Sequence, residues 1–229
     1  MCIRDRVYTD GVDLVEVIDA RAFAITERIE PNIIQIGNTN SRMVIIPNFF
    51  VYPDQIREYA LNCKYFKDPE VPENPGFIHY FNWNELQVLQ LTKLLRNEFM
   101  GDYRTSHDGF APVISLQTYN TINAYQPHID YFHYAGICPL NLNDELSNNV
   151  SGTSFFRHKK TGEEFTALAN YRHKETLDSD PSEWEVYHTQ YHNYNEYIFY
   201  ESALFHCAYW KKENWTTKYP RFTFNTFTW

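Results

Sequence analysis

At 229 residues, 43% of them hydrophobic, the chain is long enough to bury one sizeable core, and a single domain over residues 1–229 is expected. A net charge of -9 argues against nucleic acid as a partner. No apolar run reaches the length of a membrane-spanning helix, and no basic-then-apolar leader opens the chain. Cys2, Cys63, Cys138 and Cys207 form no Cys-x-x-Cys pair, so reduced thiols and a cytoplasmic location are expected. Aromatic residues at 17% lean the fold towards β structure, because flat rings pack well on pleated surfaces.

Residues 1–6 show no pattern and read as a non-native leader, outside the fold. Residues 7–36 alternate loosely, with turn signals at Asp10-Gly11 and Glu30-Pro31-Asn32, which predicts short strands. After Pro53-Asp54 the period changes: Ile56, Tyr59, Ala60 and Cys63 recur at helical spacing. A proline-rich loop over 68–76 separates this helix from a second one. Asn84 caps it with Gln87 in answer, Leu86, Leu89, Leu94, Leu95 and Phe99 form its apolar face, and Gly101 ends it.

Residues 113–119 read as a strand leading into His128-Ile129-Asp130, 131–141 as strand and turn, and 141–149 as a polar loop. The short basic cluster Arg157, His158, Lys159 and Lys160 reads as a solvated hairpin cap. Residues 158–197 form an insertion. Within it 163–171 reads as helical, and Asp180-Pro181-Ser182-Glu183 as a capped helix start carrying Trp184, Tyr187, His188, Tyr191 and His192. At the C-terminus a polar loop over 211–219 joins two aromatic, β-prone runs. That predicts a hairpin with His206 and Arg221 on neighbouring strands.

His128 and Asp130 are the chemically informative pair. Two residues apart on an extended strand, both side chains share one face while Ile129 points to the other. His-x-Asp is a common pattern by itself. With a second histidine it becomes the two-His-one-carboxylate set that suits Fe(II) and leaves coordination positions open, and His206 is the candidate partner. Cys207 points away from that face and reads as a small core hydrophobe. Arg221, Thr223 and Asn225 share one strand face, Phe222 and Phe224 the other. A polar row ending in an arginine suits an interior that holds an anion, because a buried guanidinium favours a carboxylate partner. His188 and His192, four apart on the expected helix, are the competing metal pair; they lack an acidic third ligand at matching spacing and read as surface or substrate-facing.

The order His128-x-Asp130, His206, Arg221-x-Thr223 resembles the 2-oxoglutarate- and Fe(II)-dependent dioxygenases, in their prolyl-hydroxylase-like branch. Tyr119, Tyr125, His128 and Asp130 fall on that branch's Tyr-x-x-His-x-Asp strand, with Ile122 where the family has Gly. Residues 151–156 resemble its Gly-Gly-x-x-x-Phe strand, with Ser151 for the first Gly, and 43–50 with the following helix are similar to its N-terminal strand and helix. The likeness spans residues 43–229. It implies a double-stranded β-helix, or jelly-roll barrel, buttressed by two N-terminal helices. By resemblance, Fe(II) falls to His128, Asp130 and His206. The cosubstrate 2-oxoglutarate falls to Arg221, helped by Thr223 and Tyr119, with ascorbate as an accessory reductant. The implied reaction hydroxylates a C–H bond of a small molecule or peptidyl side chain, releasing succinate and CO2. Nucleobase-repair members carry a second arginine six residues beyond the first; here that position is Phe227.

Overall fold

The structure, a computed structural model, describes residues 20–67, 76–80, 91, 93–101, 110–117, 127–130, 132–145, 150–166, 180–210 and 220–228. The strands are β1 (Asn32–Ile36), β2 (Ser41–Ile46), β3 (Phe77–Tyr80), β4 (Phe110–Gln117), β5 (Tyr134–Pro139), β6 (Ser151–His158), β7 (Trp184–Tyr191), β8 (Tyr197–Glu201), β9 (His206–Trp210) and β10 (Arg221–Thr228). All their pairings are antiparallel. One seven-stranded sheet runs β1-β2-β8-β5-β10-β4-β3, and a three-stranded sheet runs β7-β6-β9. An isolated bridge between His128 and His206 adds one more partner beside β9. The protein is therefore mainly β, with two helices flanking it.

The neighbouring strands β2 and β8 of the large sheet are apolar on both faces, because both faces are covered there. Val44 and Ile46 of β2, Tyr197 and Phe199 of β8, and Phe222 and Phe224 of β10 bury into an outer core. Met43 and Ile45 of β2 with Ile198 and Tyr200 of β8 bury into an inner one. That inner core lies between the sheets. Phe155 of β6 meets Tyr200 of β8 edge-on at 5.1 Å between ring centroids, and Arg221 Nε of β10 donates to Ser151 Oγ of β6 at 3.2 Å.

The outer core is closed by helix α1 (Pro53–Asn62), which opens on its proline and buries Ile56 and Ala60 as the sequence predicts. A second helical segment, Leu94–Met100, has the wider π-helical turn, with Leu91 and Leu95 against the same core. It ends at Gly101, whose φ of 69° is the left-handed conformation that glycine supplies without a Cβ penalty. Gly136 on β5 has a different reason to be glycine: a Cβ there would collide with the Tyr197 hydroxyl and Thr226 Oγ1, which hydrogen-bond each other at 2.6 Å.

Three expectations need correction. First, β9 and β10 do not form a hairpin: β9 belongs to the small sheet and β10 to the large one, so their connection crosses between layers. Two β-prone runs around a polar loop fit either arrangement, and the inward-facing polar row of β10 pairs with β4 instead, Arg221 opposite Gln117. Second, Asp180 does cap, accepting from Ser182 N at 2.8 Å, but Pro181–Glu183 makes one 3-10 turn and the chain then enters β7. The β-prone residues Trp184, Val186, Tyr187, Thr189 and Tyr191, on a strand paired to β6, outweigh the capping signature there. Third, residues 163–166 are not helical; Phe165 bridges Leu204. The start of the second predicted helix, including Asn84, Leu86, Gln87 and Leu89, lies outside the described residues, as do Tyr119, Ile122, Tyr125 and the 211–219 loop. No helix among the described residues is long and apolar enough to cross a membrane.

Candidate functional site

His206 opens β9 and stands opposite Phe155 of β6, facing the interior. His128 is held alongside by two backbone hydrogen bonds, His128 N to His206 O at 3.0 Å and His206 N to His128 O at 2.8 Å. Asp130 N donates to Ser202 O at 3.1 Å. The alternation read from the sequence holds: Ile129 turns away and packs with Trp184 and Phe205 in a small outer cluster. Segments 76 residues apart in the chain thus bring His128, Asp130 and His206 together, with ligand atoms within 4.8 Å of one another. Cys207 is paired with Ser154, on the opposite face of the small sheet from His206.

The local electrostatics suit a cation. His206 Nδ1 lies 2.8 Å from the Leu204 carbonyl, which can only accept, so Nδ1 carries the proton and Nε2 is the nitrogen presented to the site. That Nε2 sits 3.3 Å from Asp130 Oδ2. Burial by itself would raise the Asp130 carboxyl, but the His206 and His128 imidazoles outweigh it and hold it below its ordinary value. Burial would likewise lower His206, and the Asp130 carboxylate reverses this and raises it. Two imidazoles and a carboxylate form the donor set that a divalent transition metal takes.

Arg221 is 3% exposed at the start of β10, on the face turned towards the small sheet. Besides Ser151 Oγ, its NH1 donates to Gln117 Oε1 of β4. Thr223, on the same face, is wholly buried, and its Oγ1 has no hydrogen-bond partner. Asn225 follows, its amide donating to Ser115 Oγ at 2.8 Å and its Oδ1 buried without a partner. Unpartnered buried oxygens cost about 1–3 kcal/mol each, and this row holds two of them, Thr223 Oγ1 and Asn225 Oδ1. Opposite it, Ser151 and Phe155 of β6 stand four residues apart, roughly 13 Å of strand. Ser151 marks the arginine's level and Phe155 that of His206. Between them lies a trough where Thr153 stands opposite Ala208 of β9 on one side and Gln190 of β7 on the other. Tyr200, buried in the inner core, is raised by burial and further by the Asp130 carboxylate, with Arg221 opposing.

His188 and His192 sit on and just after β7, not on a helix. Positions four apart also share one face of a strand, but at roughly 13 Å they cannot chelate one ion together. His188 stands opposite Phe155, and its Nε2 is buried without a partner. His192 is 3% exposed, with Nδ1 3.4 Å from Ser151 Oγ and Nε2 3.2 Å from Thr153 Oγ1. Sequence reading missed Gln117, Ser151, Thr153 and His192 as parts of this interior. The only signal was the polar i, i+2 spacing of Ser151 and Thr153 on a β-prone run. The basic cluster behaves as expected at Lys159 and Lys160, which are exposed in the turn after β6.

Residues 27–228 match the family described as "Family of unknown function (DUF6445)". The chain belongs to that family. No curated protein matches this DUF6445 chain. Among solved structures it is similar to a Pseudomonas putida prolyl-4-hydroxylase, at 11% identity over 83% of this chain and 93% of that one, with a TM-score of 0.48. It is also similar to EvdO2 from Micromonospora carbonacea var. aurantiaca, at 13% identity over 96% and 93% of the two chains, TM-score 0.48. A third is HygX from Streptomyces hygroscopicus, solved with nickel and 2-oxoglutarate bound, at 10% identity over 81% and 82%, TM-score 0.43. At these scores the likeness assigns no activity to the DUF6445 chain; any activity has to come from its own side chains.

Proposed function

We propose that this DUF6445 chain is an Fe(II)- and 2-oxoglutarate-dependent oxygenase that hydroxylates a C–H bond of a small molecule or a protein side chain, releasing succinate and CO2. In this reading the two facing sheets are the halves of a jelly-roll barrel. The observation that supports it is the convergence of His128, Asp130 and His206 to within 4.8 Å, with a buried arginine on the inward face of the large sheet.

The residues fit the absent groups. His128, Asp130 and His206 would hold the metal, with His206 fixed by the Leu204 carbonyl in the tautomer that offers Nε2. Three protein ligands leave the remaining positions for cosubstrate and oxygen. Arg221 would take the far carboxylate of 2-oxoglutarate, and the unpartnered Thr223 hydroxyl would complete it. When bound, iron and 2-oxoglutarate together supply the oxidising power for attack on an unactivated C–H bond. Phe155, Tyr200 and Leu204, almost fully buried, shield the His206 side from water, while Asp130 stays partly exposed.

The test is O2 uptake coupled to succinate release by the purified protein with Fe(II), ascorbate and 2-oxoglutarate. Turnover of 2-oxoglutarate that stops when iron is withheld supports the assignment. Protein that binds Fe(II) but neither binds nor decarboxylates 2-oxoglutarate is a metal-binding β module instead. A preference for Zn, Mn or Ni without oxygen dependence indicates a cupin-like metal enzyme.

A further inference from the structure

The hydrogen bonds around His192 have a direction, and the direction ends in the trough. An arginine is only a donor, so Arg221 Nε gives its proton to Ser151 Oγ. Ser151 is 1% exposed and pinned beside His192, whose backbone N–H donates to Ser151 O at 3.1 Å. Having accepted from the guanidinium, the Ser151 hydroxyl has its own proton to place, and His192 Nδ1 at 3.4 Å is the acceptor. Nδ1 is then the unprotonated nitrogen. The other ring nitrogen, Nε2, carries hydrogen and donates to Thr153 Oγ1 at 3.2 Å. Thr153, itself 1% exposed, receives that bond and keeps a hydroxyl proton to donate.

The opposite polarity is disfavoured on electrostatic grounds. It would turn an imidazole N–H towards the guanidinium side and leave Ser151 accepting two donors, one of them from a cation. A lone pair facing the positive charge is the better arrangement. Burial, and then the Arg221 charge, hold His192 well below its ordinary value, consistent with a neutral ring in this chain. The remaining proton sits on Thr153, the residue between the level of Ser151 and Arg221 and the level of Phe155 and His206.

We infer that Thr153 is a binding residue for the dicarboxylate cosubstrate and that His192 is its positioning residue: the Arg221–Ser151–His192 chain turns the Thr153 hydroxyl into a donor for the acid that Arg221 holds. This rests on the oxygenase reading and adds to it a recognition element on the small sheet. Arg221 and Thr223 lie on the large sheet, so the acid would be gripped from both layers.

The experiment measures binding, not turnover. The probes are 2-oxoglutarate and pyruvate, a keto acid without the second carboxylate, titrated calorimetrically into the Ni(II)-loaded full chain. Thr153→Val removes the donor and keeps the shape; it is expected to weaken 2-oxoglutarate roughly tenfold to a hundredfold, the range for a hydrogen bond to a charged group, and to leave pyruvate unchanged. His192→Gln is expected to weaken 2-oxoglutarate as well, and the double variant to lose no more than Thr153→Val alone, because His192 acts through Thr153. Nitrogen-15 histidine spectra of the unsubstituted chain should show His192 protonated at Nε2. Unchanged 2-oxoglutarate affinity in Thr153→Val, additive losses in the double variant, or a ring protonated at Nδ1 would each overturn the inference. If the unsubstituted chain binds no 2-oxoglutarate at all, the oxygenase reading itself fails, which is a separate result.

Discussion

Arg221→Met removes the guanidinium and keeps a long apolar side chain on the interior face of β10. In the unsubstituted chain, 2-oxoglutarate at a hundred times its Kd should stabilise the fold by about 2.7 kcal/mol through mass action. For a chain of this size, about 2–4 °C of Tm accompanies each kcal/mol, so the ligand-induced shift should be roughly 5–10 °C. Arg221 is 3% exposed, and truncating one partner of a desolvated charge pair costs about 2–5 kcal/mol of binding. At the same ligand concentration the variant then sits at or below about three times its own Kd, worth about 0.8 kcal/mol or less, and its shift shrinks to about 3 °C or less. Without ligand, two effects oppose each other: Ser151 and Gln117 lose a donor, and a buried charge disappears. Because each shift is read within one variant, that baseline drops out. The assay is thermal unfolding of metal-loaded protein with and without 2-oxoglutarate. Equal shifts in both proteins would remove Arg221 from cosubstrate binding.

Asp130→Ala leaves two imidazoles and no charge to balance a divalent ion, and should lower Fe(II) affinity by more than roughly a hundredfold, exceeding the loss from an outer-shell change; anaerobic Fe(II) titration checks it, and unchanged affinity would place the metal elsewhere. The Glu164 carboxylate is 1% exposed, accepts from Asn38 N at 3.0 and 2.8 Å and from Arg157 Nε at 2.8 Å, and ties the turn after β1 to β6. Burial would raise its carboxyl, yet these donors hold it below the ordinary 4.5. Its contribution is therefore present above that value and lost as pH falls through the lowered one, so denaturation midpoints should drop on acidification and Glu164→Gln should show a lower midpoint with a flatter acid limb. A profile identical to the unsubstituted chain's would refute this. Gly136→Ala drives a methyl into the Tyr197 hydroxyl and Thr226 Oγ1 and should destabilise by at least about 1–3 kcal/mol, part of it recovered in a Tyr197→Phe background; chemical denaturation of the single and double variants measures the recovery.

Much of this molecule was legible in its sequence because the readable parts depend on short-range geometry. The i, i+2 relation of His128 and Asp130, the alternation of Arg221 and Thr223 with Phe222 and Phe224, and the proline-led helix with Ile56 and Ala60 inward all follow from backbone periods. What failed depended on which strands meet. A polar loop between two strands looks the same whether it turns back into its own sheet or crosses to the facing one, so the pattern around His206 and Arg221 does not separate a hairpin from a crossover. Four-residue spacing fits both periods, and a cap signal at Asp180 tipped residues 184–192 to the wrong one. The Ser151, Thr153 and His192 cluster spans 41 residues and owes its meaning to Arg221 another 29 away, a relation that no local pattern encodes.

The separation of β9 from β10 makes the protein resemble a pair of calliper jaws. One jaw carries His206, the other Arg221, on strands of different sheets. A molecule seated against both would act as a spacer bolted across the opening, so amide hydrogen exchange should slow in both leaves together when it binds. An occupant that touched one leaf alone would quiet only that one.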